Sequence, residues 1–455
     1  MRKIIQYMMM ALIAVVLASC ANDISEESTP TVKSNIRFVV DDFPMFEKPS
    51  TRTIGEEDKG KTAWAVGDEI CVKLESKELG TQTATLKYNG VKFEIQDGNS
   101  LCYLEGEPVT AYAYYAPNRR WRNGSLDFKD IYGNPNGTAE FLEATCTVHY
   151  GDDNYVDISF ANATRNYSRL RIATIPKTEI KVDADNFAPT DNPNLLYMTY
   201  TLTSDEKGNA YLYGTFDNNS IVTVKYRGAS LATHKFSKKT ENAKSYALDA
   251  TVISANSAEK IKSAIDQEIA NSKTAIRLNL ASDASDNEFK AIREAFKNVK
   301  SGTIDLTLIG CKEIPADGLK DLTALKSISL PDVTKIGKNA LLSCVDLEEI
   351  YAPNVSAIDE YAFGRCYDLG KVTFGKLTDV RGEANSGAGI FDDNNGLKPY
   401  IYLYLPKNQE VMKGEFDYNS KQYIWKPTGE SYFASYDYDN RKFLGYQFMS
   451  VKSWE

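Results

Sequence analysis

The chain has 455 residues, more than one ordinary core holds, and its 42% hydrophobic and 25% charged residues mark a folded, multidomain protein rather than a disordered one. Its 53 Lys and Arg against 62 Asp and Glu give a formal charge of -9 without any basic stripe, which excludes nucleic acid as an expected partner. Only two histidines, His149 and His234, accompany seven cysteines that never form a C-x-x-C spacing, so neither a zinc site nor a Cys–His nucleophile pair is expected.

Residues 1–19 read as a lipoprotein signal peptide, because Arg2 and Lys3 precede an apolar run, residues 8–17, that is too short to span a bilayer. Leu17-Ala18-Ser19-Cys20 follows. An ordinary secretory leader is the plainer alternative, but small residues directly before a cysteine resemble the lipobox of bacterial lipoproteins, whose cysteine thiol receives diacylglycerol and becomes the new N-terminus. The resemblance implies lipidation at Cys20 and a membrane partner, each buried methylene contributing about 0.8 kcal/mol. Residues 20–34 read as a flexible tether. Its Asp23, Glu26 and Glu27 resemble the acidic signal that sends lipoproteins of Bacteroides-type bacteria to the outer face of the outer membrane.

From residue 35 to about 250 the hydrophobic pattern has period two, the mark of half-buried strands. Ile36, Phe38 and Val40 alternate with polar residues, as do Ile70, Val72 and Leu74. Residues 86–95 predict a hairpin in which Asn89-Gly90 supplies the positive φ angles of a type I′ turn. Further strands read at residues 109–115, 156–160, 170–175 and 221–226, and a break at 161–167 divides two antiparallel sandwiches, 35–165 and 166–254. Thr51-Arg52-Thr53, Trp64-Ala65-Val66-Gly67-Asp68-Glu69-Ile70, Tyr114-Tyr115-Ala116-Pro117 and Val156-Asp157-Ile158-Ser159-Phe160, in that order after a lipobox, resemble the fimbrillin-like surface lipoproteins of Bacteroides-type bacteria. The resemblance implies tandem β-sandwiches and a role as pilus subunit, tip protein or surface protein. Trp64 and Ile70 themselves read as core anchors around a Gly67-Asp68 turn.

The periodicity changes after residue 250. Asn256 and Glu259 read as the start of a helix that sets Ile261, Ile265 and Ile269 on one face. Ser285 and Glu288 form a capping box before Phe289, Ile292 and Phe296, with Gly302 placed to stop that helix. Strands are expected at residues 276–280 and 304–308. One constant step then generates four columns: Leu325, Leu347 and Leu369; Leu306, Ile328, Ile350 and Val372; Ile314, Ile336, Ile358 and Val380; Leu322, Cys344 and Cys366. Pro331 and Pro353 mark a corner, and the next Leu-Pro corner, Leu405-Pro406, comes late enough that the last coil carries about nine extra residues, placed at 381–389. The phrase Ile328-Ser329-Leu330-Pro331, Ile336-Gly337, Ala340-Leu341, Cys344 recurs one step later as Ile350-Tyr351-Ala352-Pro353, Ile358-Asp359, Ala362-Phe363, Cys366. It resembles the BspA-type leucine-rich repeats of bacterial surface proteins. The resemblance implies an α/β repeat solenoid over 255–406 with a helical N-terminal cap, apolar columns in the core and a polar sheet facing solvent. Residues 407–455 are dense in aromatics and read as a C-terminal cap, the sharper alternative being a platform for sugars or protein partners.

No G-x-S-x-G, P-loop, H-E-x-x-H or G-x-G-x-x-G is present, so no catalytic residue, metal ligand or cofactor is expected and the chain reads as a non-enzyme. Asp392-Asp393-Asn394-Asn395 lacks EF-hand spacing and reads as a solvated turn. The small cysteines read as buried thiols. Three functional classes follow: a monomeric adhesin-like surface lipoprotein that binds a host protein or a glycan, a pilus subunit assembling by strand exchange, or an accessory protein that captures nutrients or glycans at the membrane.

Overall fold

The computed structural model describes residues 32–33, 36–47, 60–96, 101–129, 136–151, 154–161, 165–190, 192, 194, 197–392, 401–434 and 441–454. The expected leader, Cys20, most of the tether, Thr51-Arg52-Thr53 and Asp393-Asn394-Asn395 lie outside them. Three bodies follow one another, each with its own buried cluster.

In the first, seven strands pair in the order Arg37–Val40, Tyr155–Ser159, Leu142–His149, Val109–Tyr115, Glu69–Ser76, Gly80–Tyr88, Phe93–Ile95. Inward residues of every strand, Ile70, Val72, Leu74, Leu86, Val156 and Ile158 among them, converge on one core. Instead of two facing sheets, this single sheet curls until its end strands approach, so that it covers its own apolar face. Nor is it wholly antiparallel, because Arg37–Val40 runs parallel to Tyr155–Ser159. The hairpin also departs from expectation. Tyr88 pairs with Phe93, which leaves a four-residue loop, and only Gly90 has positive φ. Asn89 Oδ1 instead accepts from the amides of Val91 and Lys92, an Asx-type turn, while Phe93 packs edge-on to Trp64 at 4.9 Å.

The second body is a sandwich of two four-stranded sheets. One orders Phe187–Pro189, Asn209–Phe216, Ser168–Ala173, Ser245–Asp249; the other Tyr197–Thr203, Glu179–Asp185, Ile221–Tyr226, Ala229–Lys235. Asn209–Phe216 alternates buried and half-exposed residues along its whole length, as a strand packed on one face must. Here too one pair, Ser168–Ala173 with Ser245–Asp249, is parallel. Between these bodies Arg165 is enclosed: it donates to Glu140 and to the Pro44 carbonyl at 3.0 Å, and its guanidinium lies 3.9 Å over the Phe46 ring.

The third body opens with α1, Ala258–Ala270, and α2, Asp286–Phe296. Ser257 rather than Asn256 caps α1, its side chain accepting from the Lys260 amide. The Ser285–Glu288 box is formed at α2. Gly302 does not stop α2, which ends at Phe296; the glycine turns the chain, at φ +62°, into the strand Ile304–Ile309. Parallel strands then stack in an eight-stranded sheet: Ile253–Ser254, Ala275–Asn279, Ile304–Ile309, Leu325–Ser329, Glu349–Ala352, Lys371–Phe374, Tyr402–Leu405, Ser450–Ser453. Short strands Glu313–Ile314, Lys335–Ile336, Ala357–Ile358 and Asp379–Arg381 form a second sheet, continued antiparallel by Gln422–Ser431 and Glu410–Asp417. Tyr432, Phe443, Tyr446 and Phe448 join the same buried cluster as the repeats.

Candidate binding surface

Register turns the constant repeat step into stacked rungs. Leu306, Ile328, Ile350 and Val372 are aligned across four parallel strands, and Ile314, Ile336, Ile358 and Val380 across the second sheet. Together with Leu322, Leu325, Cys344, Leu347, Cys366 and Leu369, none of these residues is more than 3% exposed. The thiols of Cys344 and Cys366 donate to the carbonyls of Leu319 and Leu341 at 3.2 and 3.3 Å. Burial pushes the Cys344 thiol up to about 12 and Cys366 also upward, which keeps both protonated as donors. Cys102, Cys146, Cys311, Cys344 and Cys366 are free thiols.

The same register builds the outward face. One ladder runs Ala275, Asp305, Ser327, Glu349, Lys371, Tyr402; the next runs Arg277, Thr307, Ser329, Tyr351, Thr373, Tyr404. Neighbouring rungs satisfy each other: Ser327 donates to Asp305 at 2.6 Å, and Lys371 meets Glu349 at 2.7 Å. This face therefore offers hydroxyls, paired charges and tyrosines.

Over its N-terminal half lies the second body. The turn between Ile221–Tyr226 and Ala229–Lys235 has two residues, Arg227 at φ +45° and Gly228 at φ +83°, the type I′ geometry that fits a twisted hairpin. A Cβ on Gly228 would lie 2.0 Å from the Tyr351 hydroxyl oxygen, so only glycine allows this approach. Arg227 pairs with Asp332, which is 3% exposed and also accepts from the Gly310 amide at 2.9 Å. Lys273 meets Asp249 at 3.6 Å, and Arg277 donates to the Thr251 carbonyl at 3.3 Å. Between these contacts remains a cleft of about 590 Å³, walled by residues 228–233 on one side and by Arg277, Asp305, Ser327, Ser329, Glu349 and Lys371 on the other.

Sequence reasoning did not single out Arg227, Gly228 or Asp332. Tyr226-Arg227-Gly228-Ala229 between alternating strands carried a turn signal, but a turn signal does not say what the turn touches. Asp392 was read as part of a solvated turn and is instead 5% exposed. Its carboxylate accepts from the amides of Asn385, Gly387 and Gly389 and from the Tyr446 hydroxyl, at 2.7 to 2.9 Å. It holds the enlarged last coil closed as a shared hydrogen-bond acceptor. Among the described residues no group of three or more His, Cys, Asp or Glu could hold a metal ion, and no helix is long and apolar enough to cross a membrane. The strands Glu410–Asp417 and Gln422–Ser431 leave Phe416 and Tyr418 on the surface.

Residues 290–388 match the BspA type Leucine rich repeat region, in six copies. The repeats described above are of that type, over a part of the chain that is less than half. No curated relative matches the chain. Among solved structures it is similar to the fimbrial anchor protein Mfa2 from Porphyromonas gingivalis, at 11% identity over 44% of this chain and 81% of that one, with a TM-score of 0.21. It is similar also to the shaft pilin spaA from Lactobacillus rhamnosus GG, at 10% identity over 48% and 97%, with a TM-score of 0.18. Likenesses at TM-scores this low carry no argument about fold or role.

Proposed function

We propose that this chain is a non-catalytic cell-surface lipoprotein, anchored in the outer membrane through Cys20, whose two β bodies form a stalk presenting an α/β leucine-rich-repeat solenoid to a host protein or a glycan. The observation that carries the reading is the outward face of the eight-stranded sheet, where register sets polar and tyrosine ladders side by side over a continuous apolar core. A rigid, repetitive sheet of this kind suits recognition, since each coil adds one more row of side chains to an extended surface. The lipobox-like Leu17-Ala18-Ser19-Cys20 supports the anchor. The six-copy repeat match supports the surface role. The protein acts as a monomer and takes no nucleic acid.

A second reading, a pilus subunit that assembles by strand exchange, is favoured by one feature: among the described residues Arg37–Val40 is the end strand of its sheet and pairs with Tyr155–Ser159. The test is made on cells. Protease added to intact bacteria removes the protein without lysis, and a strain lacking it loses adhesion to immobilised host matrix or glycans. Full protection in intact cells and cleavage only after lysis would refute the surface reading, and recovery of the protein in sheared, SDS-resistant polymers would replace it with the pilus one.

A further inference from the structure

Resting on the reading of the chain as a binding protein, we propose that the cleft between the 227–228 hairpin and the repeat sheet is a binding site for an uncharged oligosaccharide segment. Its volume of about 590 Å³ falls within the usual range of small-molecule sites, roughly 300–1,000 Å³. The walls differ from an ordinary apolar pocket. Ser230, Thr233, Ser327, Ser329 and Tyr351 supply hydroxyls, which both donate and accept, as sugar hydroxyls do.

The charges in the cleft argue against a charged ligand. Glu349 is held by Lys371 at 2.7 Å, and Asp305 accepts from Ser327 at 2.6 Å. Asp249 is met by Lys273 at 3.6 Å, and Arg277 is turned onto the Thr251 carbonyl at 3.3 Å. Around the cleft three carboxylates, Asp249, Asp305 and Glu349, balance three cations, Lys273, Arg277 and Lys371, so an anionic or cationic group entering here meets no net opposite charge and gives up its own hydration, a net cost. A neutral polyol keeps every one of these pairs and uses their remaining lone pairs and protons.

An extended peptide is the competing occupant, since Ala229–Lys235 is an end strand and borders the cleft. Its ladder carries a bulge between Val224 and Lys225, which adds twist and blunts strand addition. The walls are also held before any ligand arrives, by Arg227 on Asp332 and by Gly228 against Tyr351. Such preorganisation lowers the entropic cost of binding.

The experiment applies the full-length lipoprotein in detergent micelles to a glycan array holding neutral, sialylated and sulfated oligosaccharides, with an immobilised library of extended peptides beside it. The strongest ligand is then titrated by calorimetry at about 50 and 500 mM NaCl, concentrations that separate screened from unscreened charge. The expected result is an uncharged glycan whose affinity changes less than about threefold between the two salts. Ser329→Trp, which fills the cleft, lowers that affinity by about tenfold or more, and Glu349→Ala, which removes an acceptor without adding bulk, lowers it by a smaller factor. Glu313→Ala on the second sheet leaves it unchanged. Circular dichroism melts confirm that each variant is folded, and Glu349→Ala serves alone if Ser329→Trp is not. The proposal is overturned by an array on which only sulfated or sialylated glycans bind, by one on which none binds, by capture of peptides instead, or by unaltered affinity in the cleft variants. Failure here with the protein still shaved from intact cells removes the ligand class alone, whereas glycan binding by a protein hidden from the protease removes the surface reading.

Discussion

Leu347→Asp tests the repeat core through a dependence on pH that no surface site would show. Leu347 is 0% exposed and lies in the same buried cluster as Leu325, Cys344, Ile350 and Leu369. Losing the leucine side chain costs about 2–5 kcal/mol, as for other large-to-small changes in cores. The new carboxyl meets no cation there, so it stays protonated in the folded protein. Holding a group of unfolded pKa about 3.9 protonated at pH 7 costs about 4 kcal/mol, at about 1.36 kcal/mol per pH unit. The sum, roughly 6–9 kcal/mol, is of the order of a whole domain's stability. The sign follows from linkage. The folded-state pKa is raised, so the folded form binds the proton more tightly than the unfolded form. This part of the deficit is absent below about pH 4 and grows as pH rises toward the folded pKa. Urea unfolding of variant and wild type is compared at pH 4.5 and 7.5, and the gap between them widens by about 4 kcal/mol at the higher pH. Thiol alkylation locates the damage: Cys102 and Cys146 are part-exposed in the native protein, while Cys71, Cys311, Cys344 and Cys366 are buried. The variant at pH 7.5 exposes Cys311, Cys344 and Cys366 and spares Cys71, which belongs to the first body. A gap independent of pH, or Cys71 labelled as readily as Cys344, would show that position 347 is not an apolar core position of a separately melting body.

Three further outcomes are expected. Cys20→Ala leaves the protein unlabelled by a metabolic lipid analogue and absent from the membrane fraction; persistent labelling removes the anchor from the proposal. Asp332→Ala leaves Arg227 and the Gly310 amide without their acceptor, costs about 1–3 kcal/mol, and raises proteolysis between the second and third bodies; unchanged digestion would show that the pair does not hold them together. Protein beginning at Asn35 runs as a monomer in size-exclusion chromatography, whereas a ladder of SDS-resistant oligomers with chains starting at Thr53 would favour the pilus reading.

The parts of the structure that were legible in the sequence are those set by local periodicity. Ile328 and Ile350 sit side by side because one coil takes the step from the first to the second, and a step that recurs in several columns needs no other chain segment to be read. Phe38, Val72 and Val156 alternate inward for the same local reason. Illegible features depend on partners distant in the chain. Asn89-Gly90 suited a two-residue turn, but the pairing of Tyr88 with Phe93 is fixed where Phe93 meets Trp64. Asn256 and Ser257 are both good caps, and a single residue's shift decides which amide is reached. Asp392 belongs to a run that looks solvated, and its burial depends on Tyr446, 54 positions later. The enlarged coil was also only half placed. The Leu341 amide donates to Ala362 on the next coil, whereas the Phe363 amide reaches forward to Ile390, a longer step along the chain. Part of the insertion thus precedes Ile390, and the rest follows it.

The two junctions between bodies differ in kind, and the difference bears on where a ligand can act. The first is sealed: Arg165 and Glu140 are buried together beneath Phe46, and burial pushes the Glu140 carboxyl upward against the pull of Arg165. Phe46 also packs against Tyr213, on a strand of the second body, so aromatic contact joins the two. The second is a set of polar contacts spaced around an open cleft. Lys273 on Asp249 is exposed on both sides and contributes little, whereas Arg227 meets the buried Asp332, so breaking that pair leaves a buried carboxylate without its nearest cation. Among the described residues no apolar cluster spans this junction, since the second and third bodies keep separate cores. The cleft thus lies between two bodies that keep their own cores and are held against each other by Arg227 on Asp332 and Gly228 against Tyr351. A ligand that bridges Ser230 on one wall and Ser329 on the other would therefore add to contacts already in place, and its affinity would depend on both bodies rather than on either surface alone.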